Sequence, residues 1–111
     1  MSSPSFVHLH GHSYWSLLDG AARVEDIIKQ AIAWKMPAVA ITDHGAMYGI
    51  AEAYFLAKQY AQEAQVPFKL IPGVEAYVAP RSRFDKNKEA GDDANWHLVL
   101  WALDNTGRSE E

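Results

Sequence analysis

The run Ala38-Val39-Ala40-Ile41-Thr42 places the tightest limit on how this chain folds. It carries no charge and does not alternate between apolar and polar residues. A half-exposed strand alternates. A strand covered on both faces reads as a short continuous apolar stretch, and such strands belong to parallel sheets with helices packed against them. The flanking residues fit that picture. Val24, Ile27, Ile28, Ala31 and Trp34 recur at the spacing of one helix face. Glu25 and Asp26 stand in its first turn, where negative charge suits the helix dipole, and Lys35 is expected in its last. Pro37 ends it, because proline cannot continue the hydrogen-bond ladder. After the run, "DHGAMYG" is a loop into a second helix over about 46–63, with Ile50, Ala53, Tyr54, Ala57 and Ala61 on one stripe.

Four strands and two main helices follow from the same reading. "FVHLH" alternates and is β-prone, so a first strand is expected at about 5–10. "GHSYWSLLDGAA" is a loop with an Asp-Gly turn signal. A third strand is expected in two pieces, 68–71 and 74–78, interrupted at Pro72-Gly73. Residues 81–95 are polar and loop-like, 96–103 form a fourth strand, and the tail "DNTGRSEE" has no strong pattern. The order strand, helix, strand, helix, strand, strand makes an α/β fold. Short βαβ connections imply parallel strands with right-handed crossovers. Ligand sites in such folds lie at the carboxyl ends of the strands.

The chemically capable residues fall at those ends. His10 and His12 lie at and just past the end of the first strand, Asp43 and His44 at the end of the second, and Glu75 near the end of the third. Asp19 can fold back from the loop after the first strand, and His97 lies in the fourth on the face of Val99 and Trp101. Imidazole and carboxylate together are the ligands of zinc, iron or manganese. His-x-His on a strand turns both rings to one face, because the side-chain period is two. His8 shares that parity but lies deeper, where it is expected to support the ligands by a hydrogen bond. Each residue alone has an ordinary explanation. His8 could be a satisfied core histidine, Asp43 a helix cap, Asp19 a turn former and Glu75 a salt-bridge partner. Their coincidence at strand ends is far more specific than any one of them.

Composition removes other classes. With 111 residues the chain is one domain or part of one, and at 49% apolar it can build a core. A net charge of −4 argues against a stand-alone nucleic-acid binder. There is no cysteine, so disulfides and thiolate metal sites are excluded. The N-terminus lacks the features of a secretory signal, and no apolar run approaches the ~20 residues that cross a bilayer. A cytoplasmic protein without a membrane segment is the simplest reading.

"HLHGHSYWSLLDGAA", "MPAVAITDHGAMYG", "LIPGVEAYVAPRSRFD" and "WHLVLWALDNTG" resemble successive motifs of the PHP (polymerase and histidinol phosphatase) domain. The "SLLDG" and "GVEAYVAP" blocks resemble the branch found at the N-terminus of bacterial DNA polymerase III alpha subunits, with the likeness running from about Phe6 to Gly107. The resemblance implies a (β/α)7 TIM-like barrel with a divalent metal cluster at the carboxyl end of its strands. It makes His10 and His12 the first-motif ligands and puts Asp19 where some relatives carry a histidine. His44 becomes the second-motif ligand, Glu75 a bridging carboxylate and His97 the next ligand. It also implies further ligands, a later His or Cys and an Asp-x-His motif, and no His, Asp or Cys follows Asp104. By resemblance His10, His12 and Glu75 would lack a closing Asp, and Glu75 with His97, and Asp19 with His44, would lack partners.

On this basis residues 1–111 are expected to be an incomplete PHP domain, with the motifs in 6–107, about four strands of a partial barrel, and marginal stability alone. The intact domain would hydrolyse phosphoesters with bound metals, removing a 3′ nucleotide or splitting pyrophosphate, and polymerisation would reside elsewhere in the parent subunit. Expected partners are the rest of the alpha subunit, the proofreading exonuclease subunit and, through the parent, DNA. Two other readings remain at this point: a small phosphoesterase completed by oligomerisation, and a non-catalytic module of the polymerase.

Overall fold

The computed structural model describes residues 5–109. Helix α1 (Val24–Ala33) leads to strand β1 (Ala38–Ile41), helix α2 (Ile50–Ala64) to strand β2 (Lys69–Val78), and a long connection to strand β3 (Trp96–Trp101) and helix α3 (Asn105–Ser109). The sheet order is β1-β2-β3. Every residue of β1 is buried, as its continuous apolar run requires. Val39 and Ile41 meet Val24, Ile28 and Ala31 of α1 and Ala53 and Ala57 of α2 in one core. The alanines of α2 let the two helices approach. Outside that contact the Tyr60 hydroxyl donates to Glu25, and Lys29 lies 3.0 Å from the same carboxylate.

The helix expectations need two corrections at their ends. Trp34 is 63% exposed, and Lys35 lies beyond α1 rather than in its last turn. The chain turns left-handed at Lys35 (φ 60°), and the N–H of Met36 returns to the Ala31 carbonyl (2.9 Å). This C-terminal closure swings Met36, not Trp34, onto the core. On α2, Tyr54 is exposed, because the two buried alanines already fill the contact with α1.

Residues 5–10 do not form a strand. One parallel bridge joins His8 to Val39. The Ala40 N–H donates to the His8 carbonyl and the Thr42 N–H to that of Gly11, both at 2.8 Å. The segment from 8 to 11 is thus one residue longer than the part of β1 that it faces, a bulge that ends regular alternation.

β2 is continuous, without the expected interruption at Pro72-Gly73. Those residues mark a change of partner instead. Lys69–Pro72 pair in parallel with β1, and Gly73–Val78 pair with β3. Proline lacks a donor but still accepts, and the Ala102 N–H reaches its carbonyl at 2.9 Å.

β3 ends at Trp101, short of 103, and is antiparallel to β2, whereas β1 and β2, joined through a helix, pair in parallel as expected. A parallel pair needs a crossover that passes over the sheet, usually a helix. The 79–95 connection holds only the 3-10 turn Lys88–Ala90 and returns at the same edge. The tail, expected to be patternless, winds into α3 as far as Ser109, while Glu110 and Glu111 lie outside the described residues. Among the described residues no helix is long and apolar enough to cross a membrane.

The connection is held by a clamp. Arg81 donates to both oxygens of Asp92 (2.8 and 2.6 Å), and the Asn87 N–H donates to Asp92 Oδ2 at 2.6 Å. The Arg81 hydrogen bonds, and after them the Asn87 N–H, hold the Asp92 carboxyl below its ordinary value. A group depressed in the folded state contributes fully above its unfolded pKa, about 3.9 for Asp, and loses that contribution as pH falls through the lower folded value. The Asn87 amide resonance is therefore expected to stay fixed down to about pH 4 and to move only below it. A transition centred at or above the ordinary Asp value of about 3.9 would show that the clamp does not form.

On the face of β3 away from His97, the apolar side chains lack cover. From Val78 on β2 to Leu98, Leu100 and Trp96 on β3, exposure runs from 40% to 69%.

Candidate metal centre

Four segments bring six side chains together. His44 follows β1, and an isolated parallel bridge pairs it with Glu75 in β2. His97 arrives because β3 is antiparallel. Its amino end lies beside the carboxyl end of β2, with His97 opposite Tyr77 and Val99 opposite Glu75. A parallel β3 would have put His97 at the far rim. The bulge after His8 carries His10 and His12 to the same rim. Asp19 is returned by a tight turn in which the Asp19 and Gly20 amides donate to the Ser16 carbonyl (3.1 and 2.8 Å). Gly20 is required there, since a Cβ would stand 2.0 Å from the Ser13 carbonyl oxygen.

Glu75 is the hub and is 3% exposed. Its Oε1 lies 2.8 Å from His10 Nε2. Its Oε2 lies 2.6 Å from His44 Nδ1, 3.2 Å from His12 Nε2 and 3.4 Å from His97 Nδ1. Asp19 Oδ2 lies 2.5 Å from His44 Nε2 and 2.9 Å from His12 Nδ1. Three donor groups result: His10, His12 and Glu75; His12, Asp19 and His44; His44, Glu75 and His97, each with ligand atoms within 4.8 Å of one another.

Burial pushes the Glu75 carboxyl up, but the charges of His44 and His12 and the His10 hydrogen bond together bring it below the usual glutamate range. Asp19 is lowered by its hydrogen bonds to His44 and then His12. Both carboxylates are thus held as anions. A cation fits the geometry as well as the charge. His12 Nε2, His44 Nδ1 and Glu75 Oε2 are buried and close together, yet none makes a hydrogen bond of acceptable geometry. Buried polar atoms seldom stay unsatisfied, and lone pairs converging from imidazole and carboxylate are the donor set of a divalent metal.

His8 does not support this cluster. It is exposed, its ring meets Phe6 edge to face at 4.9 Å, and among the described residues no side-chain hydrogen bond joins it to the six. The bulge separates it from the register of His10. Asp43 is buried and accepts three hydrogen bonds, from the Ser13 N–H (2.6 Å), the Ser13 hydroxyl (2.8 Å) and the Ser16 hydroxyl (2.8 Å). The two serines read as plain loop formers in sequence, and nothing in their spacing distinguishes them.

Tyr77 is the residue that the sequence reading passed over. Its ring stacks parallel to His44 at 6.0 Å and meets His97 edge-on at 5.5 Å, walling one side of the His44–Glu75–His97 group. The signal was available: Tyr77 lies two residues beyond Glu75 in a strand and so shares its face.

A mixed three-stranded α/β sheet with imidazoles and carboxylates gathered at its rim defines the class: a fold that carries a divalent-metal donor set. The chain belongs to the PHP family, whose domain model matches residues 8–109. It is homologous to DNA polymerase III subunit alpha, at 40% identity over 93% of this chain in Chlamydia trachomatis. Identity is 46% over 79% of the chain in Mycobacterium leprae and 43% over 96% in Thermus aquaticus. The chain spans only 7–8% of the length of these relatives. Among solved structures, an amidohydrolase from Chromobacterium violaceum with bound sulfate and no metal superposes with a TM-score of 0.59 at 29% identity. That match covers 86% of this chain and 27% of the other. A "putative metal-dependent phosphoesterase" from Bifidobacterium adolescentis superposes at 0.60 and 22% identity, over 89% of this chain and 28% of the other. These neighbours place the fold among TIM-type barrels.

Proposed function

We propose that residues 1–111 are the first part of a PHP domain in a DNA polymerase III alpha subunit, and that the six residues hold two or three divalent ions, zinc, manganese or iron, for phosphoester hydrolysis. The observation that carries this reading is the sharing of one buried carboxylate by four imidazoles, with three buried ligand atoms left without hydrogen bonds. Ions held by these residues would supply Lewis-acid stabilisation of phosphate and leaving-group oxygens and acidify a water at neutral pH. The chain's own groups supply the frame. Glu75 divides its two oxygens between His10 and the other three imidazoles. Asp19 fixes the rings of His12 and His44 from the opposite side. His10 and His97 have half-exposed side chains and stand where a phosphoester enters. No serine or cysteine nucleophile is needed, and the serines of the first loop are already committed to Asp43. The substrate that suits a polymerase subunit is a 3′-terminal nucleotide or pyrophosphate.

The rest of the domain belongs on the uncovered face of β3 and contributes the remaining ligands. The length ratio to the relatives supports this, as does the apolar row from Val78 to Leu100. The partners are then the rest of the alpha subunit, the proofreading exonuclease and DNA, in the cytoplasm. Zinc or manganese titration of the purified chain by calorimetry is expected to show saturable binding of at least two ions per chain without turnover of a 3′-phosphodiester. No saturable binding would sink the metal reading. Robust turnover by this chain alone would sink the incomplete-domain reading.

A further inference from the structure

The three donor groups are not held by the same parts of the fold. His44, Glu75 and His97 stand on or directly beside the three strands of the sheet. The group of His12, Asp19 and His44 depends on the loop from Gly11 to Ala22, which contains no regular element. The buried Thr42 holds the loop at Gly11, and between His12 and Asp19 the loop is held by a second buried residue, Asp43. The Asp43 carboxylate is 1% exposed and receives the Ser13 N–H, the Ser13 hydroxyl and the Ser16 hydroxyl, which all lie between His12 and Asp19. The Ser16 hydroxyl oxygen in turn accepts the His44 N–H at 3.0 Å. Through its own carbonyl Asp43 also accepts the Glu75 N–H at 3.0 Å. One residue thus ties the loop ligands to the strand ligands, by its side chain on one side and its backbone on the other. The space around it is closed: a Cβ on Gly49, at the start of α2, would stand 2.9 Å from Asp43 Oδ2.

We propose that Asp43 is a positioning residue that sets the register of the Gly11–Ala22 loop, with Ser13 and Ser16 as its two grips, and so controls the ion held by His12, Asp19 and His44 separately from the ion held by His44, Glu75 and His97. This inference rests on the metal reading above only for its second half. Asp43→Ala removes both acceptor oxygens and with them both grips, whereas an asparagine could keep them, its NH2 donating to a turned Ser13 hydroxyl. Ser16→Ala removes the grip that also reaches His44, while leaving the carboxylate in place.

Two measurements on the full chain decide the matter. In metal-free protein, amide hydrogen exchange read by NMR is expected to quicken at Ser13 and His44 in Asp43→Ala, and at His44 in Ser16→Ala. Amides of the β2–β3 ladder should stay as protected as before, which also shows that each variant is folded. Unchanged exchange at both amides would overturn the positioning role, whether or not the chain binds metal. Cobalt(II) titration followed by visible absorption then counts ions per chain. Loss of the outer anchor of a ligand typically costs about 10–100-fold in affinity. That loss is expected for one ion in both variants, with another ion bound as in the parent. Equal weakening of all ions would overturn the separation of the two groups. If the parent chain takes up no cobalt, the metal reading fails, and the exchange experiment still decides the role of Asp43.

Discussion

Glu75→Gln is expected to reduce the chain to a single bound ion. Glu75 belongs to two of the three donor groups, and only His12, Asp19 and His44 stand without it. The substitution keeps the shape of the side chain and removes its charge. A carboxylate offers two anionic oxygens, and here one faces His10 while the other faces His12, His44 and His97. An amide offers one neutral oxygen, and its NH2 would point into nitrogen lone pairs that the metal requires. The loss at both dependent groups should exceed the roughly 100-fold that marks the upper range for outer-partner mutations. Zinc calorimetry at neutral pH reads it directly as a fall in stoichiometry. Unchanged stoichiometry would mean that Glu75 is only an ion-pair partner of the imidazoles. The metal-free variant should keep its helices, since Glu75 touches none of the α1–β1–α2 core.

Ile28→Ala should have the largest effect on stability. Ile28 is fully buried in α1 and packs in the cluster with Val39, Ile41 and Ala53. Truncating a buried isoleucine to alanine costs about 2–5 kcal/mol, the loss of transfer free energy plus the cavity left behind. Domains of ordinary stability have about 5–15 kcal/mol in total, and one with an uncovered sheet face sits at the low end of that range. At about 4–8 °C per kcal/mol for a small domain, the melting temperature should drop by at least about 10 °C, or the cooperative transition should vanish. A shift of a degree or two would show that α2 moves in to fill the gap, which its small buried residues Ala53 and Ala57 make a real alternative.

The βαβ half of the chain was open to reading from sequence because one property, burial, set its pattern. The uncharged run at Ala38, the periodic apolar residues from Val24 and the stop at Pro37 each report burial against a neighbour close in sequence. His44 falls just past the end of β1 for the same reason, while Glu75, expected near a strand end, lies inside β2 just beyond its pairing with β1. Other features depend on groups far apart in the chain. The direction of β3 follows from a connection without a helix, a signal that was present in the polar stretch 81–95. The bulge between His8 and Gly11 left no mark on residue type, because a backbone count against β1 creates it. It undid the first strand and the supporting role of His8 together. Asp43 could be placed near the ligands from its position, but its grip on Ser13 and Ser16 could not. Tyr77 was hidden by the habit of seeing an aromatic residue in a strand as packing.

The pairing of Tyr77 with His97 has a consequence for how this region tolerates changes of length. The chain leaves the sheet after one of these residues and returns just before the other, so whatever lies between contributes nothing to their alignment. Residues gained or lost near the loop tip, around the 3-10 turn Lys88–Ala90, leave the site untouched. One residue lost within Gly73–Val78 slides the ladder by a step, and because strand faces alternate, it turns His97 outward to the side of Leu98 and Leu100. The centre is therefore indifferent to insertions and deletions near the tip of the connection between Val78 and Trp96 and intolerant of them within the paired strands on either side of it.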